Sequence, residues 1–428
     1  MGHSRLTTAI LAALLAASAV AAAPPRLKYV VIISRHGVRS PTWDATRLNQ
    51  YSSEPWPQWG VPPGNLTPHG RALILLMGAY YRDWLSGEYL LSRQGCKDAG
   101  RIYMWADTDQ RTIETGRAFA ESLLPGCELA VHSQPQGEKD HLFSGVGTPD
   151  PELALKAVRD RLAPDSEGLL SDLRPALVAL QSILTGGKKA TTMLTVSPAE
   201  INVSIRGKSV DLTEPFSAGS TLSEDLLLEY ADGMRGTDLG WGRLTKENLF
   251  RALELHSVES DLVRRTPYLA RARGSNLLAH VLESIEQAAT GKSLPGALGH
   301  PGDRVLILCG HDTNLSNISG ILGLSWHLEG YRPDDTPPGG ALVFSLWRDP
   351  DSGQDFVRTQ FVAQTLDQMR NVVRLTISHP PGEEDVSIPG CEPVGHDAAC
   401  SWPRFESMVH HAIDPAFVST DAAGRGDP

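Results

Sequence analysis

The sequence predicts an α/β fold: a large α/β domain with a central mixed sheet flanked by helices, plus a smaller, mainly helical inserted domain. Three observations predict it. Apolar runs at Tyr29–Ile33, Arg101–Ala106 and Val305–Cys309 each end in a burst of polar residues that opens a helical pattern, as strands buried on both faces do when they lead into helices. The stretch between the second and third runs carries leucines at helical spacing and few strand signals. Beyond the third run, two more apolar stretches flank a turn and add antiparallel strands to the sheet. A chain of 428 residues suits two domains, or one large domain with an insertion.

Taken in order, the chain opens on His3 and Arg5, an apolar run from Thr7 to about Val20, and a small-residue stretch ending at Ala23. This is the pattern of a cleaved export signal, 1–23, and Pro24-Pro25 follow where a membrane anchor would carry charge. Thr67 caps a helix with Pro68 at its first position, and Leu73, Met77, Tyr80, Tyr81 and Trp84 line one face until Gly87 stops it. Ile113–Leu124 has helical spacing. Leu153, Leu155, Val158 and Leu162, then Leu169, Leu173, Leu177 and Leu180, continue the helical period. Short strand signals at 201–205 and 209–213 make a hairpin around Arg206-Gly207. Residues 221–232 and 246–290 are helical again, divided by the turn-rich Gly233–Gly242. Ala341–Trp347 and Phe356–Val362 form a second hairpin, expected at a sheet edge. The α/β domain is therefore drawn over 24–149 and 273–428, and the helical domain over 150–272.

Composition narrows the function. Hydrophobic residues make up 41% and charged residues 21%, which excludes a disordered or multispanning chain. The net charge of −11 provides no global field for nucleic acid or anionic membrane, so an anionic substrate must be captured locally. Five cysteines in an exported chain allow two disulfides. Cys391 and Cys400 close a short Gly/Pro-rich loop, Cys96 and Cys127 are the natural second pair, and Cys309 lies in an apolar run as a buried thiol. Neither a CxxC pair nor an HExxH sequence occurs, so no metal is expected. The vicinal His410 and His411 read as surface or core residues.

Two polar bursts carry chemistry. Arg35-His36-Gly37-Val38-Arg39 sets guanidinium groups on both sides of an imidazole at a strand end. Guanidinium matches phosphate bidentately, and a neutral imidazole nitrogen is a nucleophile toward phosphorus. Alone, the run would also suit a basic surface turn. His311-Asp312 supplies a carboxyl group that can protonate a leaving alkoxide, its pKa raised by a bound phosphate. Without a partner it would read as a helix N-cap. Because ligands bind outside the carboxyl ends of strands in open α/β sheets, the polar bursts are expected to converge on one site.

These residues, extended to Arg35–Thr42 and Gly310–Asn314, resemble the histidine acid phosphatase family, branch 2 of the histidine phosphatase superfamily. Leu66-Thr67-Pro68, Asp109–Thr112, Gly240–Arg243, Arg265-Thr266-Pro267, Thr336–Gly340 and Gln364-Thr365-Leu366 add a resemblance to bacterial periplasmic phytases and glucose-1-phosphatases across nearly the whole mature chain. The resemblance implies His36 as nucleophile and Asp312 as proton donor. Arg35, Arg39, Arg111 and His311 would hold the phosphoryl group, and no cofactor is required. It also implies a substrate pocket lined by Thr42, Trp43, Ser220, Thr221, Glu224, His256 and Arg273. Thr221–Glu224 reads equally as a capping box opening a helix. Trp43 stands where the phytase group commonly carries Lys, which removes a cation a polyphosphate would use. The expected protein is thus an exported (periplasmic or secreted) monomeric acid phosphatase acting on small phosphomonoesters, phytate-like or of glucose-1-phosphatase type. It is expected to bind no nucleic acid and to keep no membrane anchor. A non-catalytic phosphate binder is the competing class, but it would need neither His36 nor Asp312.

Overall fold

The computed structural model describes residues 23–207, 209–392 and 399–419, so the expected export signal lies outside the described residues apart from Ala23. The strands in chain order are β1 (Arg26–Arg35), β2 (Ile102–Ala106), β3 (Val203–Arg206), β4 (Ser209–Leu212), β5 (Val305–Gly310), β6 (Ala341–Arg348), β7 (Asp355–Ala363), β8 (Gly382–Asp385) and β9 (Cys400–Ser401). The main sheet runs β2-β5-β1-β6-β7-β8, with β9 also on β7, while β3 and β4 form a separate hairpin. β1, β2 and β5 are parallel, and β6, β7 and β8 antiparallel, so the sheet is mixed.

β1 is buried from Tyr29 onward because both faces of the sheet are covered. Its side chains alternate between them. Val31 and Ile33 join Leu306, Leu308 and Phe344 beneath the helices Pro267–Thr290 and Asp312–Leu322. Val30 and Ile32 join Val305, Ile307, Met77 and Phe119 beneath Pro68–Gly87 and Gln110–Leu123. The first of those latter helices begins as the sequence indicates, with the Thr67 hydroxyl accepting from Gly70 N–H at 2.8 Å. Gly70 is required there, since a Cβ would lie 2.1 Å from the Val38 carbonyl oxygen. That contact seats the helix start against the loop leaving β1.

The helices Pro151–Leu162, Ser166–Thr185, Phe216–Ala231 and Glu254–Glu259 bury a cluster of their own, including Val158, Leu173, Leu177, Leu222, Leu226 and Leu255. The β6–β7 hairpin departs from its expected place. It is interior, bounded by β1 on one side and by β8 and β9 on the other. Gly-Glu-Glu-Asp in β8 has no apolar alternation, and pairing with β7 alone makes it a strand. No helix among the described residues is long and apolar enough to cross a membrane.

Cys96–Cys127 and Cys391–Cys400 are disulfides, and Cys309 is a free, buried thiol whose pKa burial pushes up to about 12. Such a thiol is inert. The bridges span sequence separations of 31 and 9 residues. On the chain-entropy model, replacing both cysteines of the longer loop by Ala costs roughly 3.5 kcal/mol and of the shorter roughly 2.5 kcal/mol. Urea unfolding of the two double variants should reproduce that order.

Candidate active site

The parallel register sets the site. Arg35 pairs opposite Gly310, and Ala106 opposite Cys309, so β1 and β5 end level and β2 ends one residue earlier. The next residues of each strand, His36, Asp107 and His311, are thereby neighbours. His36 N–H donates to Gly310 O at 2.9 Å and Asp107 N–H to Cys309 O at 3.0 Å. Gly310 permits this crowding, because a Cβ there would lie 2.6 Å from Asn314 Oδ1 and 2.7 Å from the Phe143 ring.

His36 is buried, and its Nδ1 lies 2.8 Å from Gly37 O. A carbonyl only accepts, so Nδ1 carries the hydrogen and Nε2 keeps its lone pair. Burial first, then the charges of Arg111, Arg35, His311 and Arg39, hold the imidazole well below its ordinary pKa. It stays neutral in acid.

Around it stand the guanidinium groups. Arg35 donates to Thr336 O at 2.6 Å and to the Glu224 carboxylate. Arg39 reaches the other Glu224 oxygen at 3.3 Å. Arg111 pairs with Asp109 at 2.6 Å and lies 3.4 Å from His311 Nδ1. The Nε–H groups of Arg35 and Arg111 are buried with no protein acceptor, which leaves donors for an anion. Glu224 is therefore a counter-charge beneath two arginines. Burial raises its carboxyl, but Arg35 and Arg39 outweigh burial and bring it to about 2. The capping-box reading of Thr221–Glu224 is corrected here. The helix starts at Phe216, which puts all four residues in its interior, and Thr221 Oγ1 donates back to Ser217 O at 3.3 Å.

His311 Nε2 donates to Asp107 Oδ2 at 2.7 Å, which fixes its ring. Its ring meets that of His36 edge-on at 5.5 Å. Asp312 opens the helix Asp312–Leu322, and its Oδ1 accepts from Thr313 N–H at 2.9 Å while Oδ2 accepts from Arg264. His256 Nε2 lies 3.9 Å from the same Oδ2, and Ser220 Oγ lies 3.2 Å from His256 Nδ1. Sequence reading missed Asp107 as a partner of His311, and it missed Arg264 altogether. Arg264 ends a π-helical turn, Ser260–Arg264, closed by Arg265 N–H to Ser260 O at 3.3 Å. At the 3.6-residue period Arg264 would sit about a quarter-turn away from His256, and the wider turn brings it round.

The remaining pocket residues are spread out. Arg273 lines a cavity of about 400 Å³ with His311, Thr313 and Lys139, and donates to Ser209 Oγ at 3.2 Å on the β3–β4 hairpin. Thr42 is exposed, and Trp43 is half-buried beside a separate cavity of about 510 Å³ that includes Trp56 and Trp59. The Arg47 guanidinium lies over the Trp43 ring, 3.4 Å from its centroid. Among the described residues, two groups gather metal-ligand types, Asp107/Asp109/His311 and Glu224/His256/Asp312. In each, arginine already engages a carboxylate: Arg111 on Asp109, Arg35 on Glu224 and Arg264 on Asp312. A cation would have to displace a guanidinium.

Next to Glu224, Asp225 is pushed the other way. Burial raises it to about 7 against the pull of Arg39. A carboxyl whose folded pKa exceeds its unfolded value, about 3.9, stabilises fully below that value and loses the contribution as pH rises to about 7. Asp225→Asn abolishes this titration, so its stability relative to the parent should increase from pH 5 to pH 8. Urea unfolding at both pH values checks this, and an unchanged difference would show that Asp225 does not titrate in that window.

Comparisons with known proteins fit this geometry. A phytase, AppA, of Escherichia coli K12 is 36% identical over 423 residues, covering 93% of this chain and 95% of its own. A glucose-1-phosphatase of Providencia rettgeri is 27% identical, with 91% and 92% covered. A solved Hafnia alvei phytase in complex with myo-inositol hexakis sulphate is 36% identical and superposes with a TM-score of 0.82, covering 92% of this chain and 99% of its own. The family model matches residues 26–163 and 221–362, and so takes in every strand end that forms the site; by that match the chain belongs to the histidine phosphatase superfamily, branch 2.

Proposed function

We propose that this chain is an exported acid phosphatase that moves a phosphoryl group from a phosphomonoester to His36 Nε2 and then to water, with phytate-type inositol polyphosphates as its substrates. One observation carries the reading. His36 holds Nδ1 on a carbonyl and is surrounded by Arg35, Arg39, Arg111 and His311, so its free nitrogen lies within a cationic ring. Phosphoryl transfer is mostly positioning and charge stabilisation, and such a ring supplies both. His36 Nε2 attacks phosphorus, the arginines and His311 bind the equatorial oxygens, and Asp312 protonates the leaving alcohol. Water then cleaves the phosphohistidine. Export is supported by the leader pattern and by two disulfides, which persist in oxidising compartments.

The substrate class rests on charge around the leaving group. Trp43 reads in the sequence as a lost cation, yet Arg47 lays its guanidinium on that indole. The charge thus returns from the adjacent short helix, Ala45–Leu48, held there by cation–π attraction. The inositol hexakis sulphate held by the Hafnia alvei relative is a polyanion of the same shape as phytate. A sugar phosphatase of glucose-1-phosphatase type is the second reading, favoured by the tryptophan-lined cavity beside Trp43.

His36→Ala should abolish turnover of every ester. Asp312→Asn should spare a nitrophenyl ester far more than an aliphatic one, because only a basic leaving oxygen needs the proton. Steady-state assays of both esters decide this, and equal fractional losses would remove Asp312 from the acid role.

Arg47→Ala should lower kcat/KM for phytate by about tenfold, the low end of a charged contact at an exposed site, and leave nitrophenyl phosphate nearly unchanged. Trp43→Lys in that background should restore phytate. Loss on glucose-1-phosphate equal to that on phytate would favour the sugar-phosphatase reading.

A further inference from the structure

Arg264 does something the phosphoryl clamp does not require. Its guanidinium donates through one nitrogen to Asp312 Oδ2, and its other terminal nitrogen lies 3.5 Å from Glu259. It therefore occupies the oxygen through which a proton donor must act. From the surrounding elements, Asp312 is faced by Arg35 on β1, Glu224 on Phe216–Ala231, His256 and Glu259 on Glu254–Glu259, and Arg111 on Gln110–Leu123. Arg35, Glu224 and Arg111 are engaged with one another or with Asp109, and His256 stays 3.9 Å away. Arg264 alone among them hydrogen-bonds the carboxylate.

We propose that Arg264 is a positioning residue that locks the Asp312 carboxylate in the resting enzyme and is drawn off it by a second phosphate on the leaving alcohol, so that polyphosphorylated esters arm the proton donor and singly phosphorylated ones do so weakly. This rests on the phosphatase reading above. The transferred phosphoryl group would have its own cations, whereas the Arg264 side chain is bonded to the proposed acid and keeps 16% of its surface exposed, so another part of the substrate can meet it. A phosphate offers a guanidinium two parallel charge-assisted bonds, whereas Asp312 offers one oxygen. Asp312 keeps its place when Arg264 leaves, since Thr313 N–H holds Oδ1. Arg273 is a second cation that Arg264 repels, and an anion that reached both would relieve that repulsion.

The resting pair keeps Asp312 ionised: burial raises its carboxyl, but Arg264, Arg35 and His256 outweigh that and hold it well below the usual range. Once Arg264 departs, solvent supplies a proton to Oδ2. That proton passes to the leaving oxygen as the P–O bond breaks and the bond from His36 Nε2 to phosphorus forms. The restored carboxylate takes a proton from the water that attacks the phosphohistidine.

The test is the pH dependence of kcat for phytate, glycerol phosphate and nitrophenyl phosphate. In the parent enzyme the alkaline limb for glycerol phosphate should lie about one pH unit or more below that for phytate, a comparison that needs no variant. In Arg264→Gln the glycerol phosphate limb should rise to meet the phytate limb, its kcat at pH 5 should increase several-fold, and KM for phytate should increase about tenfold. Nitrophenyl phosphate should respond least. Arg264→Lys retains the charge and should keep the glycerol phosphate limb near its parental position, which separates electrostatics from misfolding. Coincident limbs for phytate and glycerol phosphate in the parent, or an equal loss of kcat on all three esters in Arg264→Gln, would overturn the inference. Inactive His36→Ala together with a leaving-group-selective Asp312→Asn would at the same time leave the phosphatase reading standing.

Discussion

Crowding arginines around an imidazole that must stay neutral is the constraint on which the rest of this structure depends. Positive charge beside His36 lowers its pKa and prepares it for an anion, but guanidinium groups cannot be buried without counter-charge. Glu224 answers for Arg35 and Arg39, and Asp109 for Arg111. Glu224 reaches the site from a helix buried against the α-helical cluster, whereas the arginines come from β1, the loop that leaves it and the helix after β2. The helical segment thus completes the sheet's active edge electrostatically.

Close spacing follows from the sheet itself. Two parallel pairings, their ends one residue apart, bring His36, Asp107 and His311 together: His36 and Asp107 N–H donate to the last two carbonyls of β5, and His311 Nε2 donates to Asp107. A one-residue slip of β5 against β1 would turn His311 to the opposite face and leave Asp312 in its place. Continuous apolar burial on both faces is what resists that slip, since β1 and β5 are flanked by two separate clusters. Stability of the core and precision of the chemistry are the same property here.

How far the sequence reveals this depends on whether a feature is local. β1, β2 and β5 were legible because a strand buried on both faces must be a continuous apolar run, and the polar bursts had to follow at its carboxyl end. The helix from Pro68 was legible down to its cap. The start of Phe216–Ala231 was not, because Ser217–Ser223 is polar enough to imitate an N-terminus although every residue but Thr221 is buried in the fold. β8 was not, since only its pairing defines it. Arg264 depended on a π-helical turn that shifts the helical phase, and Arg47 on stacking across a turn; neither signal exists in a period or a motif.

The chain's net charge is −11, so at the ionic strength of a cell, with a screening length of about 8 Å, a distant anion gains little by approaching. Selection among phosphate esters must then happen within contact distance, after the phosphoryl group has already entered the clamp that all of them share. On the mechanism proposed above, Arg35, Arg39, Arg111 and His311 would bind the part of the substrate that is common to every ester and could not discriminate. On the same proposal, discrimination would fall to cations outside that set: Arg264 on Asp312, Arg273 and Lys139 in the adjoining cavity, and Arg47 above Trp43. Of these, Arg264 differs in kind. The others would add affinity when an anion arrives, whereas moving Arg264 would also change the ionisation of Asp312, the proposed proton donor, and so tie substrate recognition to the chemical step itself.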